Sequence, residues 1–262
     1  MIRLLVTLLF FVFLEGSASA FVCWEDISKA RHWMFMGPEV YHVKRIREGG
    51  TRQSGWMYGV RGSYDRIRRY KWYWGFDAAY AQGILRGHSG TGENLKSRFS
   101  DAVVEGRFGY TLQSKSASCA SLTPFIGLGY FVERNHYIHP SPLKVHFRNS
   151  FYYFAFGAQS KAYITPTLSI GANVTGKYSL DGHVDVTRDS DRKIVLHYEH
   201  EFQCRVAIPL IYSFCCKGYE TSLCLNPFYE FRHFGGHDRV PFNFLDTRLK
   251  VFGVDLFYVY SF

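Results

Sequence analysis

Acidic and histidine side chains that could do metal or acid–base chemistry are adjacent in one segment, where Glu199, His200 and Glu201 follow His197 closely. Successive residues of a β-strand point to opposite faces, so His197 and His200 would not share a face. The helical H-E-x-x-H arrangement of zinc proteases is also absent. The segment therefore indicates a polar strand end rather than a metal or acid–base site.

A second set of acids and histidines lies further apart and could gather at one rim of the molecule. Its members are Asp181, His183, Asp185, Asp189, Asp191 and His237. Nothing in their spacing requires them to meet, and the stretch DVTRDSD lacks the Gly and Glu positions of an EF-hand. We predict a solvated loop here, and therefore no catalytic residue, no metal, no cofactor and no enzyme. An enzyme with its active site at the rim is kept as an alternative.

The chain has six cysteines and no C-x-x-C metal pattern. An oxidising compartment permits disulfides, within the chain or to other envelope proteins, but the connectivity does not follow from the sequence. The cysteines predicted near turns or in the N-terminal arm, and therefore as possible disulfide partners, are Cys23, Cys119, Cys215, Cys216 and Cys224.

The N-terminus has the organisation of a secretory signal peptide. Arg3 gives a positive start, Leu4–Leu14 is apolar, and Ala18-Ser19-Ala20 is a small-residue cleavage site. We predict that residues 1–20 are removed after Ala20. No later stretch reaches the ~18 apolar residues of a spanning helix.

From residue 39 onward, stretches of about ten residues alternate apolar with small or polar side chains, as transmembrane β-strands do. The stretch at 167–178 alternates Leu168, Ile170 and Val174 with Ser169 and Thr175. A secreted β-sandwich would also alternate, but its strands are usually five or six residues long. The predicted strands are 39–50, 56–64, 70–80, 103–112, 122–134, 151–164, 167–178, 197–212, 222–234 and 251–262. Pro209 falls inside one of them, so we expect a break or bulge there.

Short and long connections alternate between these strands, which is typical of outer-membrane barrels. The predicted long connections are Ile84–Arg98, Asn135–Asn149, Ser179–Leu196 and Gly235–Leu245. We predict an all-β fold, a closed antiparallel transmembrane β-barrel of about ten strands, with eight or twelve as alternatives. Residues 21–38 would be a periplasmic arm and residues 39–262 the barrel.

The last strand ends on alternating aromatic residues, Tyr258, Tyr260 and Phe262. This ending resembles the C-terminal signature of Gram-negative outer-membrane barrels, and the resemblance implies recognition by the barrel-assembly machinery. Two phrases, GGTRQSGWMYGVRGSYDRI and FYEFRHFGG, also resemble a group of uncharacterised chlamydial outer-membrane proteins. That likeness would imply an envelope stiffened by disulfide cross-links.

If the aromatic faces contact lipid, the opposite faces place charges of both signs inside the barrel. A small barrel leaves space for side chains only, so these charges should pair. We predict a packed polar lumen, with a narrow porin-like channel as the alternative. The predicted network comprises Arg61, Asp77, Glu105, Arg107, Glu199, Glu201, Arg205, Glu230, Arg232 and Asp255.

The formal net charge of +9 predicts anionic partners. The loop 135–149 contains Lys144 and Arg148 but no acid, so we expect it to contact anions such as lipopolysaccharide phosphates or sulfated glycans. We do not expect a nucleic-acid partner. The predicted function is a structural or surface-exposed role in the outer membrane of a Gram-negative bacterium. Adhesion to anionic surfaces is kept as a further role.

Overall fold

The computed structural model describes residues 31–68, 70–113, 120–142, 144–165, 167–188, 193–197, 201–216, 219–235 and 246–262. The predicted signal peptide, Cys23, Cys119, Glu199 and His237 lie outside these ranges. No helix in the described ranges is long and apolar enough to cross a membrane.

Ten antiparallel strands form one closed barrel, so the prediction of a ten-stranded all-β barrel is confirmed. Nine of the strands are β1 (Arg31–Arg47), β2 (Arg52–Ile67), β3 (Trp72–His88), β4 (Asn94–Tyr110), β5 (Ala120–Tyr137), β6 (Val145–Tyr163), β7 (Leu168–Arg188), β9 (Tyr219–Phe234) and β10 (Thr247–Ser261). Strand β8 consists of three segments, Lys193–His197, Glu201–Ala207 and Leu210–Cys216. The first segment pairs with β7, and the other two lie between β7 and β9.

The first and last strands close the barrel. They pair from Trp33 opposite Ser261 to Arg47 opposite Thr247. Strand β1 therefore begins at Arg31, and residues 31–38, which we predicted as part of a periplasmic arm, form almost half of it. The pattern was hard to read there because Gly37 and Pro38 interrupt the apolar alternation.

The predicted long connections are mostly β-hairpins. Residues 84–88 and 94–98 continue β3 and β4, so only 89–93 connects them, and 138–144 connects β5 and β6. The strands of 15 to 21 residues exceed the roughly 9–11 residues that cross a membrane. The barrel therefore extends beyond the apolar band, and its charged, less regular outer parts were mistaken for loops. We call this the hairpin end and the opposite one the short-turn end.

Large apolar side chains cover the exterior near the short-turn end. On β10, Phe252, Leu256 and Tyr258 are about half exposed, as is Phe262 directly after it, whereas Lys250 follows toward the hairpin end. The span from Phe252 to Phe262 suits an apolar band of about 25 Å on tilted strands. The C-terminal aromatic residues thus lie on the lipid-facing side, where the alternation predicted them.

Strand β8 breaks at Ile208 and Pro209, as expected from the proline. The break does not leave nearby backbone groups unbonded: the Gly171 N–H donates to the Pro209 carbonyl at 2.8 Å, and the Ile208 N–H donates to the Pro227 carbonyl at 3.0 Å. The barrel wall remains continuous at this point.

Candidate functional site: the lumen and the outer surface

A network of ion pairs crosses the lumen at the level of the apolar band. Arg61 of β2 donates to both carboxylate oxygens of Asp77 on β3, at 3.0 and 2.6 Å, and to Glu39 on β1 at 3.2 Å. The two-point contact with Asp77 is the strong, planar geometry that arginine offers a carboxylate. These contacts connect three consecutive strands from the inside.

Arg205 of β8 joins the closing strands to the same network. It donates to Glu39 on β1 at 3.2 Å, to Asp255 on β10 at 2.9 Å and to Glu230 on β9 at 3.5 Å. Its guanidinium also lies 3.6 Å from the centre of the Phe228 ring. One side chain thus contacts groups on both sides of the β1–β10 closure.

The network continues across the barrel through β4 and β9. Arg232 donates to Glu230 at 2.7 Å and also bonds Asp101, which accepts a further bond from the Tyr41 hydroxyl at 2.6 Å. Each buried acid in this part has a cationic or hydroxyl donor, which offsets the cost of removing its charge from water.

Glu105 of β4 is the centre of the remaining part. It pairs with Arg107, accepts a hydrogen bond from Tyr153 at 2.8 Å, and lies 3.3 Å from the Lys177 ammonium. Gly129 makes room for this contact, because a Cβ there would lie 2.3 Å from the Tyr153 ring. A residue without a side chain therefore allows the ring to reach across the lumen.

The structure brings most of the predicted lumen charges together. Glu201 is buried inside the barrel but forms no ion pair with the described members of this network, and Glu199 lies outside the described residues. The members in ion-pair contact are Arg61, Asp77, Glu105, Arg107, Arg205, Glu230, Arg232 and Asp255.

Sequence reasoning did not include three participants, Glu39, Asp101 and Lys177, in the network. Asp101 shares the inward parity of Glu105 but precedes the predicted start of its strand. Extending the alternation by two residues would have placed it in the lumen. Glu39 lies in the strand with the least regular pattern. Lys177 lies on the same face of its predicted strand as Ser169 and Thr175, so the alternation does place it toward the lumen.

An apolar layer fills the lumen on the hairpin side of the network. Phe151 is 2% exposed, and its ring centre lies 5.0 Å from Phe131, 6.1 Å from Tyr153 and 6.2 Å from Phe234. Within the network below it, a void of only about 20 Å³ is present. We predicted a packed polar lumen, and the lumen is packed, but this layer of it is apolar rather than polar. It arises because inward positions of the extended strands include aromatic residues.

A row of cations lies on the exterior, directly beyond the apolar band. In register across five neighbouring strands the row runs Lys250, Lys44, Ser54, Arg86, Lys96. Lys250 is two residues beyond the lipid-facing Phe252, and Arg86 is two residues beyond Ile84. We call these five residues the cation row.

Lys144 and Arg148 were predicted to lie together in a basic loop, but the structure places them in different settings. Lys144 is exposed in the connection before β6, whereas Arg148 is exposed within β6, opposite Arg134 on one side and Asp185 on the other. Arg148 therefore has an acidic neighbour that the loop sequence did not reveal.

The cysteines give no disulfide among the residues whose side chains are described. Cys224 is a free thiol, 1% exposed inside the barrel, and not at a turn margin as predicted. Cys224 lies at an inward-facing position of β9, and its side chain is therefore inside the barrel. Cys215 and Cys216 end strand β8, and Cys23 and Cys119 lie outside the described ranges.

Within the described parts of the chain, no three His, Cys, Asp or Glu side chains are grouped so that they could hold a metal ion. Among the rim candidates, His183 comes nearest to forming an acid–base pair. Its Nε2 lies 2.9 Å from the Ser150 hydroxyl. Asp189, Asp191 and His237 lie outside the described residues, so the predicted rim set is only partly visible.

Solved structures similar to this one are Gram-negative outer-membrane barrels. The outer membrane protease OmpT from Escherichia coli matches with a TM-score of 0.53 and 9% identity, over 90% of this chain and 97% of OmpT. The β domain of the Bordetella autotransporter BrkA matches with a TM-score of 0.44 and 11% identity, over 89% and 100%. Ail, the attachment invasion locus protein of Yersinia pestis, matches with 0.33 and 8%, over 88% and 99%.

No protein-family model and no curated protein matches this chain. At 9% identity the likeness to OmpT shows the fold and carries no activity across. The comparisons give no support to the narrower likeness to the chlamydial group. The class of protein is therefore the closed β-barrel of the outer-membrane type, a class that also includes a protease.

Proposed function

We propose that this chain is a structural barrel of the outer membrane of a Gram-negative bacterium, with a closed lumen and an exterior that binds phosphate groups of the surrounding glycolipid. The cation row is the observation that carries the proposal. It lies where the apolar band ends, which is the level of lipid head groups in an outer-membrane barrel.

The register of the cation row is unfavourable unless an anion is bound. Lys44 lies directly opposite Lys250, and Arg86 directly opposite Lys96, with no acid opposite any of the four. Directly opposed side chains have Cβ atoms about 4.5–5.5 Å apart, and like charges there destabilise a sheet. Phosphate oxygens between the cations would turn this repulsion into charge-assisted hydrogen bonds.

The spacing of the row fits two anionic groups. Neighbouring strands are about 4.8 Å apart, so the two cation pairs, separated by Ser54, are centred about 14 Å apart across the sheet. The same cations would also serve for adhesion to sulfated or phosphorylated surfaces, which is a broader form of anion binding. Lipid head groups are the better fit because the row borders the apolar band.

Bisphosphorylated lipid A, added to the protein purified in a neutral detergent, is expected to raise the temperature at which the folded barrel unfolds. Dephosphorylated lipid A should raise it much less. In the double variant Lys44→Gln/Lys250→Gln the apparent affinity should fall at least tenfold, since each lost charged hydrogen bond contributes about 1.5–3 kcal/mol. The unfolding transition is followed on gels of unboiled samples, where the folded protein migrates as a band separate from that of the unfolded protein.

Lys71→Gln is the matched control, because Lys71 is also exposed but lies at the short-turn end. Equal stabilisation by both forms of lipid A, or an equal loss of affinity in the Lys71 variant, would overturn the proposal. Higher salt should weaken binding to the intact row, because the cations are exposed and salt screens exposed charges.

A closed lumen supports a structural role over a porin-like channel. The ion-pair network and the apolar layer cross the barrel one above the other. In planar bilayers we expect no discrete conductance steps from the folded protein at moderate voltage. A general porin inserted in parallel gives the positive control, and reproducible steps that require folded protein would contradict the closed lumen.

The absence of enzymatic activity remains part of the proposal. Incubation of the protein with lipid A and with a mixed peptide library should give no new products by mass spectrometry. A product that disappears in Ser150→Ala or His183→Ala would instead establish a rim active site.

A further inference from the structure

Two histidines lie directly opposite each other on the exterior of the barrel, at the hairpin end of β5 and β6. His136 on β5 pairs in register with His146 on β6, and residues 138–144 connect the two strands just beyond them. His146 is exposed and His136 is half-buried. The sequence pattern indicated a loop at residues 135–149, so it did not reveal that these two side chains face each other.

The two rings turn the same nitrogen toward each other. The Nδ1 atoms of His136 and His146 are in contact, and the ring centres are 3.6 Å apart. Between neutral rings, this contact is a hydrogen bond in which one Nδ1–H donates to the lone pair of the other Nδ1. When both rings carry their proton on Nε2 instead, two lone pairs point to one place between the strands. Neutral imidazole nitrogens in this arrangement are metal ligands.

The geometry of the pair suits a divalent transition metal. Zinc–nitrogen bonds are about 2.0–2.1 Å long, so two nitrogens bound side by side on one ion are about 3–3.5 Å apart. Directly opposed side chains have Cβ atoms about 4.5–5.5 Å apart, and a small rotation of either ring gives the required nitrogen spacing. Within the described residues no third histidine, cysteine or carboxylate joins the pair, so water completes the coordination.

The charges around the pair moderate its affinity for a cation. Arg98 on β4 lies opposite His136. Arg134 and Arg148 lie opposite each other, two residues further from the connection, and Arg148 in turn lies opposite Asp185 on β7. The three arginines are exposed, so water and salt screen their repulsion of a bound ion. They weaken the site but leave the two nitrogens accessible.

We propose that His136 and His146 bind a divalent transition-metal ion of the zinc type between β5 and β6, through their Nδ1 atoms. The ion replaces the hydrogen bond between the rings, and each ring keeps one proton on Nε2, so neutral rings release no proton. The bound ion links two neighbouring strands close to their connection. Neither histidine belongs to the cation row, so the inference does not depend on the function proposed above.

Calorimetric titration of Zn²⁺ into the untagged mature protein tests this site, in a neutral detergent and after alkylation of accessible thiols. We expect Zn²⁺ to bind with micromolar affinity and an excess of Mg²⁺, which prefers oxygen ligands, not to compete. His136→Gln and His146→Gln should each weaken binding about tenfold or more, because the remaining imidazole loses its intramolecular partner ligand. Lipid A is absent from this titration, so the result is independent of the cation row.

His88→Gln is the matched control. His88 is also exposed at the hairpin end, but it lies opposite Arg52 and Asn94 and not opposite a second histidine. Its removal should leave the Zn²⁺ affinity unchanged, and gels of unboiled samples check that every variant is folded. No Zn²⁺ binding by the intact protein, unchanged binding in folded His146→Gln protein, or an equal loss in the His88 variant would each overturn the inference.

Discussion

Replacement of Arg205 by methionine is expected to lower the free energy of unfolding by about 3–5 kcal/mol, the range measured when one partner of a buried ion pair is removed. Methionine keeps much of the apolar stem that lies against Phe228. The loss of stability therefore reflects mainly the removal of the charge. Glu39, Glu230 and Asp255 would each lose a cationic partner in a closed lumen. Urea titration of the protein in lipid vesicles, followed by tryptophan fluorescence, measures the change.

Arg248→Met is the matched control for Arg205→Met. Arg248 is exposed, and its ion pair within the described part of the chain is with Asp246 at 3.4 Å, so its removal should cost less than about 1 kcal/mol. Adding Asp255→Asn to Arg205→Met should recover part of the loss, because one unpaired buried charge is removed as well. If Arg205→Met were as stable as the Arg248 variant, the network would not stabilise the closed barrel.

Truncation of Phe151 to alanine is expected to cost about 3–5 kcal/mol as well, for a different reason. The ring lies inside the apolar layer of the lumen, so its removal leaves a cavity that neither lipid nor neighbouring side chains can fill completely. The same urea titration measures it. The variant should also remain silent in planar bilayers, because the ion-pair network below it still crosses the lumen.

Tyr152→Ala controls for the loss of an aromatic side chain from the same strand. Tyr152 is 63% exposed on the outside of the barrel, where lipid can occupy the vacated volume. Its truncation should therefore cost clearly less than that of Phe151. Equal costs for the two variants would mean that the lumen layer is loosely packed.

The sequence by itself determined the class of fold, because alternation with a period of two is a local property of each strand. The face of Tyr258 and Phe262, the inward position of Arg61 and Asp77, and the break at Pro209 could all be read from neighbouring residues. The ends of the strands could not be read from neighbouring residues. Beyond the apolar band both faces are partly polar, so the outer part of β4, including Asp101, had the composition of a loop.

Only the tertiary structure decided which inward charges meet and what fills the space between them. Arg205 contacts Glu39, 166 residues earlier, because the stagger of ten strands brings the two to one height in the lumen. That stagger is a property of the closed barrel and accumulates over every strand pair, so no single segment encodes it. For the same reason, the apolar layer and the cation row each became visible only when all the registers were known.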